Sequence, residues 1–128
     1  MFVVERDEKQ ELVRRFGEHL SAKFNLVRGR YNPAIFQSMI EKHGDAVAAS
    51  KRLLVDSRPT SYGFERLWEL NKLECSVEFA ACLPWFEPLF SDEEIRRAER
   101  RLLLHEFPLQ EHLDHSRAHP PSWWARAG

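Results

Sequence analysis

Apolar residues in this sequence recur three and four positions apart. They do so in blocks, each closed by a proline, a glycine or a capping residue, and this punctuation constrains the fold more than any other feature. From Asp7 to Val27, the residues Leu12, Val13, Phe16, Leu20, Phe24 and Val27 fall within an arc of about 120° at helical pitch, with Arg14, Arg15 and Glu18 outside it. Lys23 lies inside the arc and has to carry its ammonium group out to water along an apolar stem. This segment reads as an amphipathic helix. Arg28-Gly29-Arg30-Tyr31 breaks it, after which Asn32 supplies an N-cap and Pro33 a first helical residue. Phe36, Met39 and Ile40 form the inward stripe of that second block, and His43-Gly44 ends it. Asp45 caps a third block from Ala46 to Val55, which carries Val47, Leu53 and Leu54.

The polar stretch Ser57 to Ser61 reads as a loop, followed by a short helix from Tyr62 to Leu70 with Phe64, Leu67 and Trp68 on one side. Leu73 to Leu83 is strongly apolar, and Val77 is its only β-branched residue, so it reads as one central buried helix and not as a strand. Pro84 stops it, and Trp85 to Phe90 forms a rigid aromatic connector. Ser91-Asp92-Glu93-Glu94 is a complete capping box. The helix it starts runs to about Glu106, with Ile95, Ala98, Leu102 and Leu103 on the buried side and Phe107-Pro108 ending it. These blocks add up to an all-α, irregular bundle of five or six short helices with a C-terminal tail containing Pro, His and Trp. Residues 1–108 form the helical domain, and 109–128 form a tail docked either on that domain or on a partner.

With 128 residues, 43% of them hydrophobic, the chain can bury a core without a disulfide or metal staple. Cys75 and Cys82 are seven residues apart. On a continuous helix that is two turns, about 10 Å, whereas a disulfide needs Cα atoms within roughly 7 Å. They read as reduced, buried thiols, which suits a cytoplasmic protein. The charged run Glu5 to Glu11 does not suit a signal peptide, and no apolar run reaches the ~20 residues of a membrane span. A net charge of -1 gives no global field for nucleic acid or anionic membrane, so any such binding has to come from a local patch.

The middle of the chain resembles a small, uncharacterised bacterial family of helical domains. The residues that carry the likeness are Tyr31-Asn32-Pro33, Phe36, Met39, His43-Gly44, Ala48-Ala49 and Arg52-Leu53-Leu54. They continue with Ser61-Tyr62-Gly63-Phe64, Leu67-Trp68-Glu69, Leu73 to Glu78, Leu89-Phe90 and Glu93-Glu94, so that the likeness spans Tyr31 to about Leu102. The resemblance implies a compact helical module, found alone or appended to restriction-type and other defence proteins, with no established activity, cofactor or catalytic residue.

Several constellations point to chemistry. His112, His115 and His119 are spaced to share one helical face, as three nitrogen ligands of a metal would be, though the spacing is not that of a zincin and Pro120-Pro121 limits the helix. The competing reading is a solvated or docking tail. Arg96, Arg97, Arg100 and Arg101 oppose the apolar side of their helix and could track phosphates, but Asp92 and Glu93 are placed to pair with Arg96 and Arg97. Arg28, Arg30, Lys51, Arg52 and Arg58 form a second basic group, with hydroxyls beside Arg58 suited to an anion or to plain loop capping. Glu65/Glu69 and Glu74/Glu78 are i,i+4 carboxylate pairs; either could hold a metal with help from other helices, and Glu78 could equally pair a buried arginine such as Arg52. Trp68 and Phe86 read as core, whereas Trp85, Trp123 and Trp124 read as partner contacts, or as a tail folded back on its own domain. The reading that follows is a non-catalytic protein–protein interaction module, an adaptor or small subunit in defence or nucleic-acid processing, binding another protein or a second copy of itself. Its alternatives are a nucleic-acid binder using the arginine stripe and a small metal-dependent hydrolase or nuclease at the histidines. No cofactor, membrane contact or small-molecule substrate is expected.

Overall fold

A computed structural model describes residues 2–56 and 62–124, and the side chains of 8–56 and 63–124. Among the described residues the chain is helical with no strand. The α-helices are α1 (Phe2–Leu26), α2 (Ala34–His43), α3 (Ala46–Val55), α4 (Tyr62–Glu69), α5 (Val77–Cys82), α6 (Asp92–Leu104) and α7 (Leu109–Ala118). Two 3₁₀ segments, Leu73–Cys75 and Pro84–Leu89, flank α5.

Local chemistry sets most of the boundaries. The Asp45 carboxylate accepts from the Ala48 N–H at 2.8 Å and starts α3 where the sequence places it. At α6 both halves of the capping box close: Ser91 Oγ accepts from Glu94 N, and Glu94 Oε1 accepts from Ser91 N. Asn32 Oδ1 accepts from Ala34 N, so α2 begins at Ala34, one residue later than the proline rule suggests. Gly44 ends α2 at φ 110°, a conformation that side chains disfavour.

The expected continuous helix from Leu73 to Leu83 is broken at Ser76. Its hydroxyl donates to Leu73 O at 2.7 Å and accepts from Phe79 N at 3.1 Å, closing the 3₁₀ turn and capping α5 in one move. Likewise α6 ends at Leu104, earlier than expected. Phe107 N donates to Leu102 O and Glu106 N to Leu103 O, with Glu106 left-handed at φ 59°. That is a Schellman closure with glutamate where glycine is usual.

Helix α5 is the hub, with Val77 to Ala81 all buried. It packs on α6 along one side and on α1 and the Pro84–Leu89 turn on the other. Phe16 of α1 anchors the centre, edge-on to Phe86 at 5.1 Å and to Phe90 at 5.3 Å. Helices α2 and α3 form a hairpin joined to the rest chiefly by α3, which touches both α1 and α6, and by Phe36 of α2, edge-on to Phe24 of α1 at 5.8 Å. Leu109 and Leu113 of α7 join the same core, so this part of the expected tail is a docked helix. Cys75 and Cys82 are both free thiols, and burial raises the pKa of each. No described helix is long and apolar enough to cross a membrane.

Candidate functional site

The arginine stripe on α6 divides in the structure. Arg101 is 8% exposed and turns inward, where Nη1 donates to Glu78 Oε2 at 3.1 Å and Nη2 to the carbonyls of Asp56 at 2.8 Å and Leu54 at 3.5 Å. Glu78, 2% exposed, therefore has Arg101 as its buried cation and not Arg52. Burial pushes the Glu78 carboxyl above its usual range, and the Arg101 charge opposes that rise. Arg101 thus leaves the set of arginines a phosphate backbone could meet. Arg96 and Arg97 stay exposed but both pair with Glu93, at 3.7 and 3.1 Å. Arg100 is exposed with no ion pair among the described residues. Arg58 lies outside the described residues.

Two leucines complete this outer surface. Leu103, assigned to the buried side from sequence, is 59% exposed, and Leu104 is 71% exposed. Five residues beyond the buried Ala98, Leu103 is rotated by about 140° from it at 100° per residue, so helical geometry alone turns it outward. Together with Arg96, Arg97, Arg100, Glu93 and Glu99 the leucines line a shallow depression along the helix. Trp68, expected in the core, is 51% exposed and leans edge-on against His105, just past the end of α6, at 5.2 Å.

The tryptophans of the expected partner surface are mostly used within the molecule. Trp85 is buried. Trp123 packs near Phe86 at 6.0 Å and lies under the Arg15 guanidinium, 4.8 Å away. Trp124 remains partly exposed with its ring 5.2 Å from Trp85. The chain end therefore folds back over α1 and the Pro84–Leu89 turn as far as Trp124.

The histidines do not converge. His112 stacks on Phe107 at 4.4 Å and meets Phe79 edge-on, whereas His115 and His119 face each other at 4.5 Å, with His119 just past the end of α7. Among the described residues no group of three or more His, Cys, Asp or Glu side chains could hold a metal ion. Of the carboxylate pairs, Glu78 is taken by Arg101 and Glu69 by Arg66.

Sequence reasoning did not foresee a groove of about 370 Å³ between α2 and α4. Helix α2 packs chiefly on α3, and α4 chiefly on the Leu73–Cys75 turn, so the two face each other across a gap. Many residues on which the family resemblance rests line it, among them Tyr31, Phe36, Met39, His43, Arg52 and Glu78. Gly63 sits at its mouth, where a Cβ would meet the Tyr31 hydroxyl at 2.8 Å. Without a side chain at Gly63, the Tyr31 ring can lie directly against the start of α4. The signal available in the sequence was the α2 series Ile35, Phe36, Met39, Lys42 and His43, a single stripe at helical spacing that turns from apolar to basic.

Compared with family models, curated proteins and solved structures, the chain matches none.

Proposed function

We propose that this chain is a non-catalytic helical interaction module whose contact surface is the outer face of α6. The observation that carries the reading is the pair Leu103 and Leu104, both mostly exposed on a helix that already buries Ala98, Arg101 and Leu102 and whose ends are both closed. Large apolar side chains set among arginines are the composition of a protein interface core. Nucleic acid is the weaker partner, because Glu93 offsets two of the three exposed arginines and Arg101 is withdrawn.

The face is also self-complementary. Its first turn is acidic (Asp92, Glu93) and its later turns are basic (Arg96, Arg97, Arg100). A two-fold antiparallel pairing of two α6 helices sets each acidic start against the other's basic turns, around the leucines. A second copy of the chain is therefore the first partner to test. The setting in bacterial defence is part of this proposal and comes from the family resemblance.

Sedimentation equilibrium over a wide concentration range tests it. The expected result is reversible association of the wild-type chain, lost in Leu103→Ser/Leu104→Ser with the helical spectrum unchanged. A wild-type chain that stays monomeric throughout, or association untouched by the two serines, overturns the assignment of this face.

A further inference from the structure

The groove between α2 and α4 has a chemical polarity of its own. Its walls are Phe24, Phe36, Met39, Leu53, Phe64 and Leu67, contributed by four helices. Its volume of about 370 Å³ lies in the range of small-molecule sites. The polar groups are unevenly distributed over it. Lys42 and Arg52 line its rim, are exposed, and have no ion pair or hydrogen bond among the described residues. His43 lies next to Lys42 on the same lining. Among the described residues the acidic groups lining the groove are Glu78 and Asp56. Glu78 is neutralised by Arg101 at 3.1 Å, and Asp56 has interactions of its own. Ser76 has its hydroxyl fully used in capping α5. An apolar floor with free cations at its edge is complementary to a molecule that is apolar at one end and anionic at the other.

We infer that the groove between α2 and α4 binds a small amphiphilic anion, an alkyl or aryl carboxylate or sulfonate, with its apolar body on Phe36, Met39, Leu53 and Phe64 and its anionic head between Lys42 and Arg52. The anion meets Lys42 and Arg52 at the water-exposed rim, where they need no desolvation before binding. The apolar body displaces water from aromatic and aliphatic walls, which supplies most of the affinity. The charged rim then selects an anion over a neutral molecule of the same shape. This site is separate from the outer face of α6, and neither inference needs the other.

Fluorescence titration with anilinonaphthalene sulfonate, and with the uncharged N-phenylnaphthylamine of nearly the same shape, tests this. The titrations use a chain already carrying Leu103→Ser/Leu104→Ser, so that the leucines and arginines of α6 do not supply a second site. The expected result is saturable sulfonate binding at one site per chain, competed by an alkyl carboxylate. Lys42→Gln/Arg52→Gln, at two exposed positions that the fold does not depend on, should weaken sulfonate binding about tenfold, as expected from two exposed charge contacts of up to about 0.7 kcal/mol each. The same pair should change binding of the neutral probe by less than about twofold. Ile35→Asp, at an exposed part of the apolar wall, should weaken both probes. No saturable binding, an unchanged sulfonate affinity in the Lys42/Arg52 variant, equal losses for both probes, or indifference to Ile35→Asp would each overturn the inference.

Discussion

Arg101→Leu removes the ion-pair partner of a buried carboxylate that has no other ion pair among the described residues. The guanidinium holds Glu78 at 3.1 Å and the Asp56 carbonyl at 2.8 Å, and Glu78 has almost no contact with water. Leaving one member of a buried pair alone costs about 3–5 kcal/mol. That is a large part of the roughly 5–15 kcal/mol that holds a domain together. With a urea dependence of about 1–3 kcal/mol per molar, the unfolding midpoint should fall by about 2 M. The pH dependence separates this cause from simple loss of packing. Burial already raises the folded pKa of Glu78, and removing Arg101 takes away the largest influence opposing that rise. A group whose folded pKa lies above its unfolded value favours the folded state at low pH, and that contribution is lost as pH rises. The deficit of the variant should therefore be smaller at about pH 5 than at about pH 8. Adding Glu78→Leu removes the stranded charge and should restore at least half of the loss. Urea unfolding followed by circular dichroism and tryptophan fluorescence at both pH values measures all three. A loss under about 1 kcal/mol, a deficit equal at both pH values, or a double variant no better than the single one would refute the reasoning.

Two further perturbations follow from single residues. The Nε2 of His19 is buried without a hydrogen-bond partner among the described residues, and burial, aided by the Lys23 charge, lowers its pKa to about 4. The folded state then resists a proton that the unfolded chain accepts near 6.5, so stability is intact above that value and falls with acidification. Wild-type stability should drop by about 2 kcal/mol between about pH 7 and about pH 5 through this group, and His19→Phe, beside Phe86, should remove that part of the slope in urea titrations. Glu106 carries a left-handed backbone that glycine adopts freely. Glu106→Gly should raise the melting temperature by a few degrees, corresponding to about 0.5–1 kcal/mol, and an unchanged or lower value would mean that the glutamate side chain itself supports the turn.

What the sequence disclosed is what a few neighbouring residues decide. The Asp45 cap and the Ser91 to Glu94 box act within one turn, and both helices start where those residues put them. Ser76 misled because a serine inside an apolar run looks like a helix interior until its hydroxyl is seen bonding in both directions. Glu106 misled because a left-handed glutamate leaves no mark in composition. The four arginines of α6 look alike in sequence, yet Arg101 alone stands three residues after the buried Ala98, about 60° from it around the helix, so it flanks the packed face. That much was available from spacing. Its partner, 23 positions earlier, was not, because the pairing depends on how α5 and α6 cross. The groove between α2 and α4 is a property of two helices that fail to meet, and no local pattern records it.

Helix α6 is fastened to α3 at two levels. Near its start Glu94 Oε1, already bonded to the Ser91 amide, also accepts from Lys51 Nζ at 2.8 Å. Near its end Arg101 reaches the last carbonyls of α3 and the residue after it. One fastening alone would leave a hinge; two, more than a turn apart, suppress rotation as well as separation. The outer surface of α6 is thereby presented as a rigid template whose spacing is set before any encounter. Its amides should exchange with solvent only when the whole domain opens, and a partner that docks there has no ordering of this helix to wait for.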